Sequence, residues 1–158
     1  MELKNILKQA KSVFPKGKAH WVRHWFTIAS IKGDFGQYLG DTYAPFEFDD
    51  VWGLGEVAFG IKDKIGFTSE CWVQAKKDTN VVIEYGCDDG ARLFVYDESG
   101  RLIYLKIDSW KIQPYTKYRA SFNLKKGLYK FIFEFFEWTA YARVSFKLLW
   151  GDIKPIKI

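Results

Sequence analysis

Residues 84–96 of this 158-residue chain read Glu-Tyr-Gly-Cys-Asp-Asp-Gly-Ala-Arg-Leu-Phe-Val-Tyr, which sets two adjacent carboxylates, Asp88 and Asp89, between two apolar strands. Such a pair at a strand end can hold a cation, because Ca²⁺ collects six to eight oxygen ligands and carboxylates are its preferred source. The same pair can instead cap a bend, each aspartate accepting from nearby main-chain amides. The residues alone leave both readings open.

Other candidate chemistry is sparse. His20 and His24 stand four apart, a spacing that puts two imidazoles on one face of a helix, yet Trp-Val-Arg between them lacks the glutamate of a zinc-protease motif. Strand-like sequence begins here as well, so a metal site at these histidines is not expected. Neither histidine has an evident nucleophile partner, and the chain has no phosphate-cradling glycine loop and no Cys-x-x-Cys. An autonomous enzyme is therefore not expected, although carboxylates paired in space for glycoside cleavage are not readable from sequence.

The elements that must position the aspartates are strands. Aromatic residues make up 19% of the chain (Trp 7, Tyr 9, Phe 14), a composition that suits pleated sheets. Tyr118, Ala120, Phe122 and Leu124 alternate with Lys117, Arg119, Ser121 and Asn123, and Ala142, Val144, Phe146, Leu148 and Trp150 alternate with Arg143, Ser145 and Lys147. Residues 128–136 are apolar on both faces, which predicts a central strand. Residues 33–56 read as long loops with small strands.

From Phe67 onward the pattern predicts an antiparallel meander. Three loops put glycine third in a three-residue turn: Asp88-Asp89-Gly90, Glu98-Ser99-Gly100 and Lys125-Lys126-Gly127. Across the second, Asp97 and Arg101 should face each other as an ion pair. A hairpin around Lys77–Val81 would set Cys71 opposite Cys87, where buried thiols are favoured over a strained disulfide.

The charge is uneven. Residues 1–24 carry six basic side chains and one acid, while the rest of the chain holds 18 of each sign, so the net +5 belongs to the N-terminal arm. Leu3, Ile6, Leu7, Ala10 and Phe14 fall at helical spacing, and Pro15 and Gly17 end the pattern. The expected organisation is a basic amphipathic helical arm (residues 1–18) followed by an all-β domain (residues 19–158), an antiparallel sandwich or barrel. No secretory leader is expected, and no apolar run reaches the roughly 18 residues of a membrane span.

At this point the chain resembles the PA14 family, a β-barrel domain of bacterial toxins, glycosidases and yeast adhesins. The matching pieces occur in family order: Gly66–Ser69, the segment Cys87–Val95, Ile107–Trp110, Leu124–Tyr129, Glu134–Glu137, then Ala142, Val144 and Trp150. Phe46–Phe48 and Trp52-Gly53 fit less closely. The resemblance covers about residues 21–150.

What it implies is a non-catalytic module in which loops at one barrel end bind carbohydrate, in some members through calcium. In those members two consecutive aspartates joined by a cis peptide ligate the ion, a role that falls here on Asp88 and Asp89. The second family loop corresponds to Glu137–Tyr141, where the usual asparagine and glycines are missing and Trp138 and Tyr141 stand instead. Exposed aromatics stack on the C–H faces of sugars, so these two are candidate ligand contacts; they are equally suited to plugging the barrel end. Trp110 fills a packing position.

The partners implied are a glycan or glycoconjugate, with Ca²⁺ as the one candidate cofactor. An alternative is an assembly subunit that uses the barrel as a scaffold and residues 2–14 for protein contact or self-association. Nucleic acid has only the five lysines and one arginine of residues 1–24 in its favour. The family is mostly extracellular, and with no leader expected in this sequence the compartment is left open.

Overall fold

The computed structural model describes residues 14–158. The helix expected over residues 2–14 lies, apart from Phe14, outside the described residues. From Pro15 the chain makes one 3₁₀ turn, Lys16–Lys18, and then enters strands. These are β1 (Trp21–Ile28), β2 (Phe35–Ala44), β3 (Phe48–Gly53), β4 (Ile65–Ala75), β5 (Thr79–Asp88), β6 (Gly90–Asp97), β7 (Leu102–Lys106), β8 (Thr116–Leu124), β9 (Gly127–Glu137), β10 (Ala142–Trp150) and β11 (Ile153–Pro155). Among the described residues, no helix is long and apolar enough to cross a membrane.

The strands form two antiparallel sheets packed as a sandwich. One runs β2-β1-β4-β9-β6-β7, with β11 added to β4, and the other runs β3-β10-β5-β8. Strict alternation makes the core: Phe131, Phe133 and Phe135 of β9 face Val81, Ile83 and Tyr85 of β5 and Val144 and Phe146 of β10, all buried. Phe133 is central to it, its ring centroid 5.2 Å from Phe146 and 5.4 Å from Tyr85. Arg23 also points inward from β1, its guanidinium 2.7 Å from Asp50 and lying over the rings of Phe48 and Phe67. As expected, β9 is central, flanked by β4 and β6.

The meander expectation needs correction. Strands β4 and β5 do not pair: β4 bonds β1, β9 and β11, and β5 bonds β8 and β10. Residues 76–78 carry the chain from one sheet to the other, and Thr79 to Val81, expected in the hairpin loop, already belong to β5. Cys71 and Cys87 therefore line the core from opposite sheets, both as free buried thiols. Period two reports which face a residue occupies, and a short crossover preserves that parity as well as a hairpin does.

The Asp88–Gly90 and Lys125–Gly127 turns are crossovers too, joining β5 to β6 and β8 to β9 across the sandwich. Only Glu98-Ser99-Gly100 closes a hairpin, with Gly100 at φ +87° and Asp97 paired to Arg101 at 3.2 Å. Residues 33–56 hold two strands, β2 and β3, longer than the small strands among long loops that were expected. A register shift between Leu148 and Trp150 turns Trp150 out of the alternation, leaving it 69% exposed.

Candidate functional site

Three chain crossings between the sheets meet at one end of the sandwich. The β5–β6 crossing brings Asp88 and Asp89, the β7–β8 connection brings Gln113, and the β9–β10 connection brings Glu137 and Trp138. Register explains the meeting: Gly90 pairs with Phe136 across β6 and β9, and Asp88 pairs with Arg143 across β5 and β10. Gly90 is needed for closeness, not for a turn. A Cβ there would sit 2.3 Å from Phe136 Cε1 and 2.9 Å from the Lys111 main-chain nitrogen.

Asp89 is the most heavily bonded of the acids. Its Oδ1 accepts from the Gln113 main-chain N–H at 3.2 Å, and its Oδ2 accepts from the Trp138 N–H at 2.8 Å. Its carbonyl accepts from Gln113 Nε2 at 3.1 Å, and its own N–H donates to Phe136 O at 3.2 Å. Gln113 in turn donates to Ser109 O and accepts from the Tyr118 hydroxyl. The Asp88–Asp89 peptide is cis, as the resemblance implies.

Glu137 closes the cluster. One oxygen from each of Asp88, Asp89 and Glu137 lies within 4.8 Å of the others. The three residues are 8%, 4% and 0% exposed. Among the described residues, neither carboxylate oxygen of Glu137 has a hydrogen-bond partner. Burial, followed by the charges of Asp89, Asp88 and Asp63, pushes the Glu137 carboxyl up to about 9. Burial and the neighbouring Asp89 push Asp88 up to about 6. Asp89 is also raised by burial, against the lowering pull of the Trp138 and Gln113 amides.

Native proteins rarely leave a buried carboxylate without a donor, and three together without a counter-charge are costly. Each carboxylate oxygen accepts more than one partner, so the amide bonds to Asp89 leave coordination capacity. An all-oxygen set of this charge fits a hard divalent cation such as Ca²⁺.

The aromatic candidates flank the same end. Trp138 is half-buried, and the Lys64 ammonium lies over its ring at 4.8 Å. Tyr141 is 42% exposed beside Gly53, so it offers the freer ring face. The outer face of the four-stranded sheet adjoins Asp88 through Arg143 and Tyr115, which stack at 3.9 Å. A groove of about 380 Å³ opens there, lined by Tyr115, Arg143, Ser145, Lys117 and Glu84 among others.

The histidines are otherwise engaged: His20 Nδ1 accepts from the Phe46 N–H at 3.3 Å, and His24 Nδ1 meets Asp41 at 2.7 Å from strand β1. Trp110 packs on Phe136 and Arg92 and donates to Lys32 O, as its packing assignment requires.

The fold has counterparts among solved structures. No family model matches the sequence, and no curated protein does. An anti-sigma factor domain-containing protein aligns over 89% of this chain and 46% of its own, at 21% identity and a TM-score of 0.66. The GH31 alpha-xylosidase of Xanthomonas citri aligns over 82% of this chain and 14% of its own, at 14% identity and a TM-score of 0.52. A beta-glucosidase from Kluyveromyces marxianus, solved with glucose, gives 10% identity and a TM-score of 0.49 over 90% of this chain and 18% of its own. The chain thus spans under half the length of each. The first two likenesses show a shared all-β fold.

Proposed function

We propose that this sandwich is a non-catalytic carbohydrate-binding module of PA14 type, with a calcium ion held by Asp88, Asp89 and Glu137. The observation that carries the reading is the convergence of three buried carboxylates, one of them with both oxygens lacking a donor. A bound Ca²⁺ would supply the missing counter-charge and an electrophilic centre for sugar hydroxyls. Around it, Gln113 and the Trp138 N–H fix the Asp89 carboxylate, and Tyr141 offers a stacking face at the rim. The α-xylosidase carries a similar fold as a small part of a carbohydrate-active chain, which agrees with an accessory binding role.

The test is a glycan array probed with the full chain in Ca²⁺ and again in EDTA. At least one glycan is expected to bind in a way that EDTA abolishes and Tyr141→Ala weakens by about tenfold. Binding that is equal in both buffers for every glycan, or no glycan binding, would overturn the reading.

A further inference from the structure

The outer face of the seven-stranded sheet holds a second cleft, remote from the carboxylates. Trp72 of β4 pairs in register with Lys130 of β9, which pairs with Tyr96 of β6. Facing partners on adjacent strands point the same way, so an indole and a phenol stand on either side of one lysine, about two strand spacings or 9–10 Å apart. Ile132 lies one outward position along β9 and lines the cleft with them. Its volume is about 280 Å³. That is near the lower end for small-ligand sites, typically about 300–1,000 Å³.

Two features mark this cleft as built. Trp72 is 40% exposed in mid-sheet, whereas Trp21 and Trp25 of the neighbouring β1 are buried in the core. The Asp97–Gly100 turn raises a wall at one side, and it is tightly held: Asp97 Oδ1 accepts from the Ser99 N–H, the Ser99 hydroxyl and the Arg101 N–H. Glu98 and Gly100 of that turn line the cleft.

The chemistry selects the ligand. Lys130 Nζ sits 3.2 Å from Glu70 and 5.9 Å over the Trp72 ring, so donor and acceptor are presented together at the edge of an apolar plate. The Lys130 and Asp97 charges are already matched, which disfavours a strongly ionic ligand. An uncharged ring with a C–H face and a rim of hydroxyls, a pyranose, satisfies both the plate and the polar pair.

We infer that the cleft formed by Trp72, Tyr96 and Lys130 is a second, metal-independent binding site for a neutral oligosaccharide. It stands whether or not the carboxylate cluster binds calcium.

The experiment uses the full chain labelled with ¹⁵N, whose seven tryptophans give seven indole signals. Trp72 is assigned by the signal lost in Trp72→Phe. Cellohexaose, xylohexaose, mannohexaose and chitohexaose are titrated in EDTA, with adenosine monophosphate as a stacking probe that is not a neutral sugar. At least one hexaose should shift the Trp72 signal, and Trp72→Ala should weaken that hexaose at least about tenfold while Tyr141→Ala leaves it unchanged and the melting temperature of both variants stays near wild type. No shift by any hexaose, a shift by the nucleotide alone, or a concentration-dependent dimer abolished by Trp72→Ala would overturn the proposal. Binding that survives EDTA but needs Trp72 supports this cleft even if the calcium reading fails; binding that needs calcium and ignores Trp72 does the reverse.

Discussion

Glu137 and Asp89 come from separate sheet crossings, yet their carboxylates approach within 4.8 Å in a largely buried place. Asp89 is satisfied by two main-chain amides, and Glu137 by none. That asymmetry gives the cluster its character: one acid is fixed as a ready ligand, and the other, without a donor, is kept protonated by burial in the metal-free fold.

Glu137→Gln should stabilise the metal-free fold near neutral pH. Gln keeps the shape and stays neutral without taking up the proton that Glu137 must hold in the fold. The expected gain is roughly 1–3 kcal/mol, the proton-uptake cost less what an unpartnered buried amide still costs. In a chain of this size each kcal/mol moves Tm by about 2–4 °C. Thermal melts in EDTA check this, and the same variant should lose any rise in Tm that calcium gives wild type.

The stability of the metal-free protein should fall with rising pH. Glu137 keeps its proton up to about 9 in the fold, against 4.5 ordinarily, so the native state binds a proton that the unfolded chain has already released. Stability from this group is therefore complete below pH 4.5 and is lost as pH climbs to about 9. Asp88 adds to the early part of that loss, between 3.8 and about 6. Denaturant melts in EDTA at pH 5, 7 and 9 should show a steady decline that saturating calcium flattens, since the ion takes the ionised carboxylates.

Gly90→Ala should damage the site through packing alone. Its Cβ would lie 2.3 Å from Phe136 Cε1, pushing β6 away from β9 beside Asp89. A loss of about 1–3 kcal/mol is expected by chemical denaturation.

The two thiols should be inert in the fold. Burial pushes both Cys71 and Cys87 up to about 12, and they belong to opposite sheets. A thiol reagent at pH 8 should label neither within the time in which guanidinium-unfolded protein labels both.

What the sequence disclosed follows from what period two can carry. The inward residues of β5, β8 and β9 were legible because alternation assigns a face, and Asp97–Arg101 was legible because a true hairpin joins near neighbours. Strand partners were not legible: the link of residues 76–78 has hairpin length, yet it spans the two sheets. At this end of the sandwich, Asp88 and Asp89 were singled out by their adjacency, and Trp138 and Tyr141 by the loop they occupy. Glu137 and Gln113 were missed because their roles depend on crossings that meet only in three dimensions. One trace was present in the chain, an acidic residue following the Phe135-Phe136 pair at the buried end of β9.

Calorimetric titration of the chelator-stripped protein with CaCl₂, run beside Glu137→Gln and Asp89→Asn, tests the calcium site most directly. One ion should bind per wild-type chain, with binding lost or weakened at least about a hundredfold in both variants. A wild-type chain that takes up no calcium, or variants that bind it as tightly as wild type, would contradict the carboxylate trio as a cation site.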